Sequence, residues 1–358
     1  MERMKKIVEA FDICGNVTDI KPLGNGLIND TFKVCTDGCS AYVLQKINNA
    51  IFRNVGLLQD NIVSVTTHIS KKLVASGEAE VERKVLTFVK LKDSEKTYWT
   101  DGNEYWRVSV FIPDAMTYET VNPEYSYYAG KAFGEFQAML ADIPDQLGET
   151  IPDFHNMELR ARHLRDAVAK DSVGRCSEPE ICAFLSEIDL HIDEMCKAER
   201  LHREGILPKR ICHCDTKVSN MLFDKDGSAL CVIDLDTLMP SFIFSDVGDF
   251  LRTAANYVAE DCPEIDKVGF NMEIFRSFIK GYLESAASFL TEVERENIPY
   301  AAALFPFMQA VRFLTDYING DTYYKIAYPE HNLVRTRNQM ALFRSVLSHM
   351  YQMKAIIQ

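Results

Sequence analysis

Two short stretches, residues 213–220 and 232–236, restrict what this chain can fold into more than any other part of it. The first reads His213-Cys214-Asp215-Thr216-Lys217-Val218-Ser219-Asn220, the second Val232-Ile233-Asp234-Leu235-Asp236. Between them, two apolar runs, Met221-Leu222-Phe223 and residues 229–233, flank Asp224-Lys225-Asp226-Gly227, a turn composition that favours a hairpin. Such a hairpin returns Asp234 to the side of Asn220. An amide and a carboxylate oxygen then share one hard cation, the donor type that magnesium requires. Asp215, Asn220 and Asp234 follow one another as phosphoryl transfer needs them. An aspartate accepts the proton of the attacking hydroxyl, and an asparagine and a second aspartate hold the metal that bridges nucleotide phosphates. The plain alternative, that Asp234 and Asp236 are solvated residues at a strand end, leaves unexplained why an apolar strand ends in two acids.

Length and composition set the frame for that site. A chain of 358 residues exceeds what one core usually spans, so two lobes are expected. With 47% hydrophobic and 25% charged residues it has the means to bury a core. The net charge of −13 argues against general affinity for nucleic acid or an anionic membrane, so a bound nucleotide must be met by local cations, amides and metal. No apolar run approaches the roughly 20 residues of a membrane span, and the first residues lead into no signal-peptide core. A cytoplasmic protein with a small-molecule substrate and no obligate protein partner is the expectation. The ten cysteines lack a repeated spacing and read as reduced core thiols. Cys212 and Cys214 bracket His213, but no second Cys or His pair stands nearby to complete a zinc site.

Periodicity divides the chain in two. Residues 1–112 read as a nucleotide-binding lobe with β-prone runs at 17–23, 31–35, 41–47, 85–90 and 106–112 and one helix at 55–75. Residues 113–358 read as a mainly helical catalytic and substrate-binding lobe, with helical periods at 125–140, 159–169, 178–203, 246–258, 273–289, 299–318 and 337–353. The predicted class is α+β, a bilobal protein-kinase-like fold with a small antiparallel sheet lobe. Gly24-Asn25-Gly26-Leu27-Ile28-Asn29 falls between two strands, where a tight backbone can approach phosphates, which makes Gly24, Gly26 and Asn29 candidates for the nucleotide side. A third-strand cation should touch the phosphates, and Lys46 is available; alternation leaves open whether Gln45 or Lys46 points inward. The helix at 55–75 contains no glutamate to pair with it, only Asp60. Asp246 follows Asp234 too soon for a long activation loop, Ala-Pro-Glu is absent, and so is the P-loop signature, which together point to a small-molecule acceptor.

Residues 213–220, 232–237 and Ser245-Asp246-Val247-Gly248-Asp249 resemble the aminoglycoside phosphotransferase superfamily, with its choline, homoserine, methylthioribose and fructosamine kinases. Within it the likeness is nearer to the N-acetylhexosamine 1-kinases. It includes Tyr42-Val43-Leu44-Gln45, Arg312-Phe313-Leu314-Thr315-Asp316-Tyr317 and Tyr328-Pro329-Glu330-His331-Asn332-Leu333-Val334-Arg335-Thr336-Arg337. The resemblance implies ATP- and magnesium-dependent phosphorylation of the anomeric hydroxyl of N-acetylglucosamine or N-acetylgalactosamine. It implies Asp215 as the base and Asn220 and Asp234 as metal ligands, with Asp236 beside them. Lys217 would counter charge on the transferred phosphoryl group. Thr237, Arg312, Asp316 and Tyr323 are the sugar-side candidates. Arg312 and Asp316 also stand four apart, as in a surface ion pair on one helix face. His331 reads as a satisfied structural histidine. Cys214 stands where the family has asparagine. Two other readings are a kinase for another small alcohol and a nucleotide-binding pseudokinase; retention of Asp215, Asn220 and Asp234 together speaks against the second.

Overall fold

The structure, a computed structural model, describes residues 2–24, 28–38 and 40–358. Its elements in chain order begin with α1 (Glu2–Glu9), β1 (Val17–Pro22), β2 (Asp30–Thr36), β3 (Tyr42–Ile47), α2 (Val55–Ala75), α3 (Val81–Lys84), β4 (Tyr98–Thr100) and β5 (Tyr105–Val110). Then come α4 (Pro123–Leu140), α5 (Met157–Lys170), α6 (Pro179–Met195), α7 (Lys197–Arg203), β6 (Arg210–Cys212), β7 (Met221–Phe223), β8 (Ala229–Val232) and β9 (Met239–Ser241). The chain closes with α8 (Phe244–Ala254), α9 (Met272–Ala286), α10 (Glu292–Glu296), α11 (Ile298–Ile318) and α12 (His331–Ile357). This is a mixed α+β fold, a five-stranded antiparallel sheet and a helical part.

Contacts divide the chain into two compact units that are discontinuous in sequence. Met1–Thr117, Met139–Pro152 and Asn220–Met239 form the first, and Tyr118–Ala138, Asp153–Ser219 and Pro240–Gln358 the second. The sequence reading cuts once, at residue 112, and assigns the hairpin to the second lobe. The backbone ties that hairpin to the first unit, since Met116 and Phe223 exchange N–H···O bonds of 2.9 and 2.8 Å.

In the first unit the sheet order is β1-β2-β3-β5-β4. One face carries Val34, Tyr42, Leu44, Trp106 and Val108, and it packs with Ile7 and Val8 of α1 and with Phe11 just after it. Alternation puts Gln45 and Arg107, which are directly opposed across β3 and β5, on the other face. The run at 85–90 forms no strand, contrary to expectation. Val89 donates to Val108 O at 2.8 Å and Val110 to Thr87 O at 2.9 Å, but β4 occupies the same edge of β5 and confines this segment to isolated bridges. Within α2 the buried Asn61 donates to Gly148 O (2.8 Å) and Leu238 O (2.9 Å).

The second unit is built around α11, buried along most of its length and packed on α5, α8 and α12. The α8 crossing needs a glycine, because a Cβ on Gly248 would lie 2.2 Å from the Phe305 ring and 2.7 Å from Ala301 O. The helix expected at 178–203 is broken at Cys196 into α6 and α7. The Tyr300 hydroxyl enters the break, donating to Met195 O at 2.8 Å and accepting from Ala198 N–H at 3.2 Å. Among the described residues no helix is long and apolar enough to cross a membrane.

Candidate active site

In the second unit, Asp215 stands on a loop that leaves β6 through a left-handed residue, Cys214, at φ 63°. A side chain in that region costs of order 1–3 kcal/mol and persists only where its surroundings impose it. Two buried acids from the start of α8 impose it here. The Asp246 carboxylate accepts from the backbone N–H of His213 (3.1 Å) and Cys214 (2.8 Å) and from Gln137 Nε2 (2.6 Å). Asp249 accepts from Thr216 N–H at 3.1 Å, and the Thr216 hydroxyl donates to Asp246 O at 2.6 Å. Burial raises both carboxyls from their ordinary values, opposed by His213 beside Asp246 and by Arg252 beside Asp249. Arg252 lies 3.1 Å from Asp249 and 2.6 Å from Glu260.

The loop leaves the Asp215 carboxylate partly open, with its side chain 22% exposed and 2.8 Å from the Lys217 ammonium. Burial lowers Lys217, but Asp215 and Asp249 outweigh it and the ammonium ends above its ordinary value. Asp215 N–H donates to His213 Nδ1 at 3.3 Å, and His213 is held edge-on to Phe133 and Phe136. A partly exposed carboxylate with an ammonium beside it is chemically able to take a proton. Cys212 and Cys214 are buried free thiols, and burial pushes both well above the ordinary thiol range. Among the described residues no cluster of His, Cys, Asp or Glu suits a metal ion.

In the first unit, β7 and β8 form the expected hairpin, and Ile233 N–H donates to Asn220 O at 2.9 Å. Asn220 and Asp234 therefore flank its open end. Asp234 is left-handed at φ 58° and turns the chain into a 3-10 turn, Leu235–Thr237. An amide and a carboxylate oxygen suit a hard cation that completes its shell with water and phosphate oxygens. Asp236, grouped with them in the sequence, points into the unit. Its carboxylate pairs with Arg107 and accepts from Asn29 Nδ2 at 2.6 Å. Arg107 Nε donates to Gln45 Oε1 at 3.0 Å, and Gln45 Nε2 to Thr31 Oγ1 at 3.2 Å. Asn29 Oδ1 accepts from Asn48 N–H at 2.9 Å. Lys46 is on the opposite face, 2.7 Å from Glu104 and above the Trp106 ring, so Gln45 is the inward residue. The buried ion pair of this unit thus joins β5 to the 3-10 turn rather than β3 to α2. Sequence reasoning missed Arg107; its signal was an arginine set between Trp106 and Val108 in a β-prone run. Gly24 has φ 71°, a conformation natural to glycine, and Gly26 lies outside the described residues.

The sugar-side candidates are distributed over both units. Thr237 ends the 3-10 turn of the first, buried. In the second, Asp316 is buried and accepts from the N–H of Thr322 (2.9 Å), Tyr323 (2.8 Å) and Tyr324 (2.9 Å) and from Asn332 Nδ2 (2.9 Å). It shapes the loop that presents Tyr323, which is 74% exposed. Arg312 makes no ion pair with Asp316; it donates to Gln309 Oε1 at 2.8 Å and lies over the rings of Phe154 and Tyr324. His331 Nδ1 accepts from Ala327 N–H at 3.1 Å, and the ring stacks on Tyr328, a structural arrangement.

Comparison with known proteins matches residues 19–275 to the model of the Phosphotransferase enzyme family. Among solved structures, an aminoglycoside phosphotransferase from Alicyclobacillus acidocaldarius is 14% identical, with a TM-score of 0.64 over 98% of this chain and 95% of that one. The amicoumacin kinase hAmiN, solved with AMP-PNP, Ca2+ and Ami, is 14% identical, with a TM-score of 0.59 over 95% and 92%. The Plasmodium vivax ethanolamine kinase is 15% identical, with a TM-score of 0.56 over 95% and 86%. At these identities the likeness is one of fold.

Proposed function

Because this chain belongs to the phosphotransferase enzyme family, we propose that it transfers the γ-phosphoryl group of ATP to the anomeric hydroxyl of N-acetylglucosamine or N-acetylgalactosamine. The observation that carries the kinase reading is the Asp215 loop, clamped by Asp246 and Asp249 with its carboxylate left partly open beside Lys217. The sugar reading rests on the sequence likeness at residues 312–317 and 328–337.

In this reaction Asp215 accepts the proton of the sugar O1–H as the bond from O1 to the γ-phosphorus forms. The bond from that phosphorus to the β–γ bridging oxygen breaks, and ADP leaves. Lys217 offsets charge on the transferred group. Asn220 and Asp234 are the residues that would hold magnesium, whose chemistry is to neutralise phosphate charge. An anomeric hydroxyl is more acidic than a primary alcohol, which suits a carboxylate base. Phosphorus NMR of the product tests the proposal: coupling to the anomeric proton marks a 1-phosphate. A 6-phosphate, or rapid turnover of choline or homoserine with neither sugar reacting, overturns the substrate and leaves the kinase reading standing.

A further inference from the structure

Three arginines of the second unit, Arg160, Arg312 and Arg335, gather around one group of aromatic rings, and among the described residues no carboxylate lies within ion-pair distance of any of them. Arg160 Nη2 donates to the carbonyl oxygens of Asp153 (3.2 Å) and Phe154 (2.5 Å). Arg312 lies 5.8 Å from the Phe154 ring centroid and 5.6 Å from that of Tyr324. Arg335 lies 5.4 Å from the Phe313 ring, itself 4.8 Å from Tyr324. His155 stacks on Phe154 at 4.3 Å.

Four polar atoms in this cluster are sealed from solvent with no hydrogen-bond partner: Arg160 Nε, Arg335 Nε, the Tyr324 hydroxyl and His155 Nδ1. Burial and the Arg312 charge pull Arg160 down to about 10, and burial with Arg312 and Arg160 pulls His155 well below its usual value. Buried donors without acceptors, and like charges with no carboxylate in ion-pair contact, are costly features that cluster where a ligand completes them. The cluster borders the catalytic loop, since the Arg252 charge also acts on His155 and Arg252 pairs with Asp249, which holds Thr216.

We propose that this cluster is the recognition subsite for the phosphoryl acceptor, that it takes an alcohol bearing an acyl carbonyl or carboxylate oxygen, and that it rejects protonated amino alcohols. The inference rests on the kinase reading and deepens it. Arg160 Nε, the Tyr324 hydroxyl and the Arg312 guanidinium supply donors to that oxygen, while neutral His155 adds no charge. An ammonium brought here meets three fixed cations and leaves the donors unfilled, and both effects count against it. In the proposed sugars the recognised oxygen is that of the N-acetyl group.

The test is ADP release with matched acceptors: N-acetylglucosamine against glucosamine, N-acetylethanolamine against ethanolamine, and glycerate and choline alongside. The acyl or carboxylate member of each pair is expected to exceed its cationic counterpart by at least about 100-fold in kcat/KM. Arg160→Gln and Tyr324→Phe should each raise KM for the accepted alcohol about tenfold or more and narrow that ratio, with KM for ATP unchanged. Loss of one internal contact alone would not produce that split. Cationic alcohols reacting as well as their partners, or both variants leaving KM and the ratio unchanged, overturns the inference. If glycerate or N-acetylethanolamine reacts and no amino sugar does, the sugar assignment falls and this inference stands. If only choline or ethanolamine reacts, the inference falls and the kinase reading stands. If no acceptor in the panel reacts, both fall.

Discussion

Asp215 is tied to the loop by its backbone and left partly open at its side chain, so its removal should change chemistry and not shape. Asp215→Asn is expected to lower kcat by 100-fold or more with ATP affinity by calorimetry unchanged, as loss of a general base costs about 10²–10⁴. A variant that keeps more than about a tenth of the rate would place the base elsewhere. Arg107 makes the opposite case. Both it and Asp236 are almost fully buried, so Arg107→Met strands a carboxylate; urea unfolding should show a loss of about 3–5 kcal/mol, as for other broken buried pairs. Replacing both residues with apolar ones should recover much of that loss. At this scale Asp215, Asn220 and Asp234 stand out in the linear motif as candidates. Arg107 and the inward choice of Gln45 do not, because period-2 alternation does not say which face of a strand meets the site.

Helix α8 shapes the Asp215 loop through its first two turns, where Asp246 and Asp249 accept from the N–H groups of His213, Cys214 and Thr216. Its other face meets α11 at Gly248, and Gly248→Ala forces a methyl against Phe305 and Ala301 O. A thermal or denaturant melt should show a loss of about 1–3 kcal/mol, as for overpacking elsewhere. Helix α7 places Glu199 under the start of α5, where its carboxylate accepts Met157 N–H at 2.7 Å while Oε2 has no partner. Burial pushes Glu199 up to about 7 from 4.5. The native state then holds a proton that the unfolded chain has released, so stability falls as pH rises from 4.5 to about 7 and stays lower above it. Glu199→Gln keeps the bond to Met157 and removes the titration. Its stabilisation relative to the wild type should be about 2–3 kcal/mol greater at pH 8 than at pH 5, read from urea unfolding at the two values. Most elements were visible in the period of their apolar residues. The break at Cys196 was not, because it comes from the hydroxyl of Tyr300, distant in sequence.

For the whole molecule, metal and nucleotide should act together. Activity is expected to vanish with excess chelator and return with magnesium, and Asp234→Asn should lose turnover by orders of magnitude with its melting temperature retained. Full activity in chelator would remove Asn220 and Asp234 from their assigned role. Magnesium and ATP at about 100 times Kd should raise native stability by about 2.7 kcal/mol, seen as a higher melting temperature, and Asp234→Asn should shrink that gain.

The sequence alone determined the class of fold and supplied the residues on which the proposed chemistry rests. The residues proposed for catalysis are close together in the chain, and a hairpin turn with apolar flanks is a local signal that needs no distant partner. An α+β chain with a small antiparallel sheet follows from periods that each element carries within itself. Only the tertiary structure decided which polar side chains find partners inside and which are buried without them. Asp236 meets Arg107 and Asn29, Asp316 closes a loop and Lys46 turns to Glu104, while Arg160 Nε and the Tyr324 hydroxyl, both close to Arg312, are buried without a hydrogen-bond partner. Those outcomes depend on which distant segments pack side by side, and burial then fixes the cost of every charge and hydrogen bond left unpaired.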